Sequence, residues 1–263
     1  MKYLIITILA ALFFVSCEKE ISIDLNSKEP KLVIEGIITD EPGNYTVKIS
    51  ETVNFSDANN FPPVSNALVI ITANIGLVDT LKEEKPGIYH TKKITGTPGV
   101  KYDLYVKVAD KEYFATSIMP QKVTVENVMF TQMSDPTGKQ MYMTIPVFTD
   151  PIELGNSYRF LQKTTKAADK TIIITNDNSN NGKVNKRPIL SRGFEITMGD
   201  TVTVEMRCID ANIYTYFFTF SQIAGTNPGS SAVPSNPQNN ITGSSALGYF
   251  SAQTVSKITK VVQ

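Results

Sequence analysis

The sequence predicts a mostly β protein: an N-terminal immunoglobulin-like β-sandwich, followed by a second β-sandwich-like domain that carries one amphipathic α-helix. Three observations lead there. Short runs of alternating apolar residues, bounded by Gly, Pro, Asn or Asp, recur from Lys31 onward at the close spacing of all-β folds. Seven of them crowd into residues 31–120, the density of an immunoglobulin-like sandwich. Only Asp210 to Ala224 changes its apolar period from two to that of a helix.

The chain opens on a different kind of element. Lys2, the apolar run Leu4 to Val15 and the small Ser16 before Cys17 have the layout of a secretory signal. The run is shorter than the ~20 apolar residues needed to cross a bilayer. Phe14-Val15-Ser16-Cys17 resembles a lipobox, so residues 1–16 are expected to be removed and Cys17 to carry diacylglyceryl and palmitate-type chains. Acyl chains buried at about 0.8 kcal/mol per CH2 would then hold the protein on a membrane without a spanning helix. Residues 17–30 read as a tether, polar and without periodicity. Its Glu18-Lys19-Glu20 resembles the charged runs that direct Bacteroidota lipoproteins to the outer face of the outer membrane. The expected location is therefore the outer membrane, with cell-surface exposure as a further expectation.

In the first domain, Lys31–Thr39, Tyr45–Val53, Ala67–Ile75, Leu77–Lys82, Ile88–Lys93, Val100–Val108 and Glu112–Ile118 read as strands. Tyr102, Leu104, Val106 and Val108 share one face by period two, marking a core strand. The connection Asn54–Asn66, stopped by Pro62-Pro63, is either a binding edge or slack. Met119-Pro120 ends this series, and a boundary is placed near residue 120.

Residues 121–263 make the second domain. Val123–Gln132, Gln140–Phe148, Ser157–Thr165, Lys170–Thr175, Ile189–Ile196 and Thr201–Ile209 read as strands, Asp135 to Gly138 as a hairpin turn and Asn176–Asn185 as a polar loop. Asp210 is a good N-cap for a helix over 211–224, with Ile213, Tyr216, Phe217, Phe220 and Ala224 on its apolar face. Tyr214 and Phe218 fall to the far side of that face. They fill a seam between the domains or await a partner. Residues 225–245 follow as a loop long enough to suggest function or disorder, before a closing strand pair, Leu247–Ala252 and Thr254–Val262.

The chemistry legible in the chain is sparse. Its 25 basic and 25 acidic residues balance, so nothing calls for a nucleic-acid partner. His90 is the single histidine, and any Ser-His or Cys-His mechanism must use it; on an alternating strand it reads as an edge residue. Cys208 reads as a small buried hydrophobe. Asp177, Ser179 and Asn181, with Gly182 after them, have the alternation of the first half of a calcium loop, but Pro188 stands where the bidentate Glu belongs. Thr80 and Thr201, in Asp79-Thr80-Leu81 and Asp200-Thr201-Val202, resemble Bacteroidota O-glycosylation sites. No cofactor motif and no pair of catalytic carboxylates is evident, so the chain is expected not to be an enzyme.

The order of features in the second half carries a family resemblance. Tyr216-Phe217 in the helix, then Asn236-Pro237, Asn240-Ile241, Gly243 and Gly248-Tyr249-Phe250 before a closing strand resemble a Bacteroidota lipoprotein family of unknown function, domain of unknown function 4249. Pro63 to Val69 resembles its approach to the third strand. Tyr216-Phe217 stands where that family often has Tyr-Trp. Its members are typically encoded beside TonB-dependent outer-membrane receptors, which implies an accessory to a β-barrel transporter that helps capture or gate its substrate. The alternative is a surface adhesin or scaffold. Tyr214, Phe218, Asn236, Pro237, Asn240 and Ile241 are the residues expected to meet the partner.

Overall fold

The computed structural model describes residues 29–54, 57–134, 138–191, 193–223 and 235–263. The signal, Cys17, Asp135 to Thr137 of the expected turn, Ala224 of the expected helix and residues 225–234 of the long loop lie outside them. Eight strands build the first sandwich: β1 (Leu32–Thr39), β2 (Thr46–Glu51), β3 (Leu68–Ala73), β4 (Leu77–Thr80), β5 (Lys82–Lys85), β6 (Ile88–His90), β7 (Lys101–Val108) and β8 (Lys111–Ile118). One layer runs β1-β2-β6-β5 and the other β8-β7-β3-β4. The inward residues of both, among them Ile34, Ile38, Val47, Ile49, Val69, Ile71, Leu104 and Val106, share one core. β5 adds an eighth strand to the seven expected. Its sequence, KEEK, has no apolar alternation, and pairing with β6 alone makes it a strand. The Asn54–Asn66 connection is fastened at its far end: Glu51 N–H donates to Pro62 O (2.9 Å), Val64 N–H to Ile49 O (3.0 Å), and the buried Tyr89 hydroxyl to Val64 O (3.0 Å).

β9 (Asn127–Ser134), β10 (Gln140–Thr149), β11 (Ser157–Thr164), β12 (Ile173–Asn176), β13 (Val184–Asn185) and β14 (Thr201–Ile209) follow, then helix α1 (Ala211–Ile223). The sheet β13-β10-β9 faces β11 and β14 across a second core of Val128, Phe148, Tyr158, Phe160, Val204 and Met206. Two expectations are corrected here. Ile189–Ile196 is not a continuous strand: among its described residues only the ends bond β10, through Ile189 N–H to Thr144 O and Tyr142 N–H to Ile196 O, and Gly193 between them holds φ +72°, outside the extended region. The polar stretch 176–185 ends in β13, because Asn185 and Val184 pair with Phe148 and Thr149.

The ending of the chain departs most from expectation. A short β15 (Ile241–Gly243), within the stretch read as loop, pairs with β8. The closing pair is one continuous strand, β16 (Ala246–Val261). Ala246 to Gln253 pair in parallel with β1, and Thr254 to Val261 pair antiparallel with β14. One strand thus changes partner between Gln253 and Thr254 and joins both sandwiches into one sheet, β12-β11-β14-β16-β1-β2-β6-β5. Residues 241–252, assigned from the sequence to the second domain, complete the first: Ala246, Phe250 and Ala252 are buried in its core. Where β16 has a strand on one side only, side chains take the backbone groups on its other side. Asn240 accepts from Phe250 N–H (3.1 Å) and donates to Phe250 O (2.7 Å), Ser117 Oγ accepts from Ala252 N–H (2.9 Å), and Asp40 accepts from Val255 N–H (2.8 Å). Buried backbone must be paired, and these side chains pair it.

Candidate functional site

Helix α1 is made of residues that favour it weakly, with five aromatics and two threonines in thirteen positions, so its stability rests on its N-cap and its packing. Asp210 Oδ1 accepts from Ile213 N–H (3.0 Å) at the N-terminus, while its other oxygen takes the Ser117 hydroxyl of β8. Ile213, Phe217 and Ser221 recur at four-residue steps on the buried face. The Arg159 guanidinium of β11 lies 3.8 Å from the Phe217 ring centre, a cation–π contact that contributes about 0.5–2 kcal/mol. Tyr249 of β16 closes the cluster against Tyr216 and Phe217. Burial lowers the Arg159 pKa and raises that of Tyr249.

These contacts fix the rotation of α1 and turn Tyr214 and Phe218 onto the rim of a cleft. Their rings stack with centroids 6.0 Å apart and planes 16° apart. The cleft has a volume of about 490 Å3, within the roughly 300–1,000 Å3 of ligand pockets. Met133, Met141 and Met143 of β9 and β10 form the opposite wall, Thr171 to Thr175 run along one side, and Leu190 and Phe194 flank it. Leu190 is 72% exposed and Phe218 44%, so the apolar lining is open to solvent rather than a sealed core.

Beneath it, Gln162 ties the walls together. Its side chain accepts from Thr144 Oγ1 (2.5 Å) and donates to Asp169 Oδ2 (2.9 Å) and Ser191 Oγ (2.8 Å), joining β10, β11 and the 189–196 segment. Sequence reading passed over Gln162, although a polar residue on the inward parity of Tyr158 and Phe160 was the available signal.

The other sequence candidates lie elsewhere. Asn240 serves β16 as described, and Ile241 pairs with Ala115 and packs on the first core. Pro237 is half-buried and Asn236 exposed, near Pro30 and Asn54. The structure therefore brings together Tyr214 and Phe218 and separates them from Asn240 and Ile241. Asp177 turns its carboxylate to Gly155 N–H (2.6 Å) and Asn156 N–H (2.8 Å), and the Asn181 amide donates to Ile152 O. Ser179 is exposed. Among the described residues no three His, Cys, Asp or Glu side chains are grouped to hold a metal. His90 Nδ1 lies 3.1 Å from Thr46 Oγ1, and Cys208 is buried, its thiol pKa pushed up by that burial. No described helix is long and apolar enough to cross a membrane.

Both Asp-Thr tripeptides have a structural use for the aspartate. Asp79 accepts from the N–H groups of Lys92, Lys93 and Ile94, with Thr80 exposed on β4. Asp200 accepts from Lys166 Nζ and from the Thr197 N–H and hydroxyl, beside the half-buried Thr201. The Lys166 contact, then the two Thr197 bonds, lower the Asp200 pKa from 3.8 to about 2. The folded state therefore favours the ionised carboxylate. Its contribution to stability is complete above about pH 4 and is lost as pH falls toward 2. Asp200→Asn should flatten this part of an acid-unfolding curve; an unchanged curve between pH 4 and 2 would disprove the assignment.

A family model described as Domain of unknown function (DUF4249) matches residues 18–259. The chain belongs to that family. The match covers both sandwiches, so this DUF4249 protein carries the family sequence on the whole two-sandwich body and not on one half of it. No curated protein is similar to it in sequence. Among solved structures, it is similar to a two-domain fibronectin type III segment from chicken tenascin, at 10% identity over 70% of this chain and 93% of that one, TM-score 0.24. It is also similar to the chicken interferon gamma receptor alpha chain, at 8% identity over 68% and 89%, TM-score 0.21.

Proposed function

We propose that this DUF4249 protein is a lipid-anchored outer-membrane binding protein that serves a TonB-dependent transporter in substrate capture or gating. The observation that carries a binding role is the open apolar cleft with Tyr214 and Phe218 stacked on its rim, held there by Arg159 and Tyr249. The lipobox-like sequence ending at Cys17 supports the anchor, and the genomic setting implied by the resemblance supports the transporter. The role proposed is one of binding; His90 and Cys208 do not line the cleft.

The test is affinity purification from detergent-solubilised outer membranes of the native host, with the wild type and with Tyr214→Ala/Phe218→Ala. The wild type should bring down a β-barrel. The double variant should recover roughly thirtyfold less of it, as expected when a central aromatic pair is lost, while its own stability falls by only about 1–2 kcal/mol. Equal recovery would remove the cleft from the interface. The alternative, a surface adhesin or scaffold, is favoured by β16, whose continuity through both sandwiches suits a stiff spacer. Recovery of the lipoprotein alone would support it.

A further inference from the structure

We infer that the cleft is a peptide site, in which an extended oligopeptide adds as a strand to the open edge of β12 and sets its terminal carboxylate against Arg187. This rests on the cleft being a binding surface, and adds what it binds.

The backbone carries the first part. β12 is the last strand of its sheet and pairs on one side only, with Tyr158↔Thr175, Arg159↔Ile174 and Phe160↔Ile173. In an antiparallel ladder alternate residues direct both N–H and C=O to the same side, so half of these groups in β12 point away from β11. No described backbone group receives them. Every residue from Thr171 to Thr175 borders the cleft. Ile173, Ile174 and Thr175 are consecutive positions of β12 and of both parities, and they line a cleft together only when it meets the strand along its edge, since either face would present every second one.

The walls carry the second part. Helix α1 lies on one face of this sheet, over Arg159, and β9 with β10 lies on the other, over Phe160. A strand laid beside β12 would send alternate side chains toward Tyr214 and Phe218 and toward Met133, Met141 and Met143. Both sets would meet apolar surface, and the thioether wall would adapt to different side chains. A fatty acyl chain could fill the same walls, but would leave the edge amides without partners.

Charge supplies the direction. Arg187 lines the cleft, and its guanidinium hydrogen-bonds to the neutral Asn180 side chain, 3.3 Å away, with no ion pair to it among the described residues. No Asp or Glu lines the cleft. Asp169, below it, is engaged by Gln162, Ser191 and the Thr171 N–H. The site therefore offers one unmatched positive charge, complementary to a carboxylate. Four strand residues at about 3.3 Å each suit a peptide of roughly four to six residues.

The experiment is fluorescence anisotropy with the full chain in detergent and an N-terminally fluorescein-labelled Val-Thr-Val-Thr-Leu. The free-acid peptide should bind saturably, and its C-terminal amide about tenfold more weakly. Methylating alternate backbone nitrogens, in the register that blocks pairing, should weaken it at least as much. In Arg187→Ala, whose exposed position leaves folding intact, acid and amide should bind alike; Arg187→Lys should restore part of the difference. Equal binding of acid and amide to the wild type, or indifference to N-methylation, would overturn the inference. So would concentration-dependent dimerisation that the peptide cannot reverse, which would place a second copy on the edge. If no peptide binds yet Tyr214→Ala/Phe218→Ala still loses the barrel, the peptide inference alone falls; if neither effect is seen, the binding reading falls with it.

Discussion

Gly248→Ala should lower stability by more than about 4 kcal/mol, a large share of the roughly 5–15 kcal/mol that holds a typical protein folded. Gly248 sits within β16 at φ +101°, directly beside Ile34 in the parallel ladder. A Cβ there would overlap the carbonyl oxygen and carbon of Ile34 and crowd its amide nitrogen. Because these are backbone atoms in the middle of a ladder, they cannot step aside as a flexible side chain would. Two costs coincide, a conformation that L-residues rarely adopt and a clash that separates β16 from β1. Gly193→Ala is the control: its φ is also positive, but nothing lies within 4 Å of its added methyl, so only about 1 kcal/mol should be lost. Urea unfolding of both variants checks this, and comparable midpoints would refute the role given to Gly248.

Residues 29–120 alone should not fold, although they contain β1 to β8. Their core is finished from outside by Ala246, Phe250 and Ala252. Phe250 is fully buried, and removing a ring of that size from a core costs about 3–5 kcal/mol even when its backbone remains. The fragment also loses the backbone of β16, leaving the outer edge of β1 open to pair with another molecule. The expected result is an aggregating species without sharp near-ultraviolet circular dichroism. Appending residues 239–252 through a flexible linker should restore a cooperative unfolding transition. Cooperative unfolding of the unextended fragment would show that the first sandwich is self-sufficient.

Much of this architecture was legible because it follows rules local to each segment. Leu32, Ile34 and Ile38 alternate and are buried; Ile213 and Phe217 are four apart and are buried. Asp210 looked like a cap and is one. What stayed hidden depends on neighbours distant in sequence. Ser251, Gln253 and Thr254 interrupt the apolar pattern of β16 and suggested a break between two strands, yet all three are buried where the strand changes partner. Asn240 looked like part of a polar binding loop, because nothing nearby reveals that its amide replaces a missing strand beside Phe250. For the cleft, Tyr214 and Phe218 were recognisable as apolar residues beyond the helix's packing face. Arg187 and the open edge of β12 were not, since an edge is a property of the assembled sheet.

The pairing of β1 with β16 also sets a timetable. Leu32 meets Ala246, so the first strand of the fold waits for one of the last. At a synthesis rate of about 5–20 residues per second, roughly 200 intervening residues correspond to ~10–40 s, long compared with the microseconds in which a hairpin forms. Local hairpins such as β7–β8 and β9–β10 can form during that interval, but neither sandwich closes. A chain that stops short of β16 leaves both halves unfinished and exposed to proteases, whereas a chain that reaches it can lock both together in a single late event. β16 thus acts as a late checkpoint, through which only molecules that include it reach the native state.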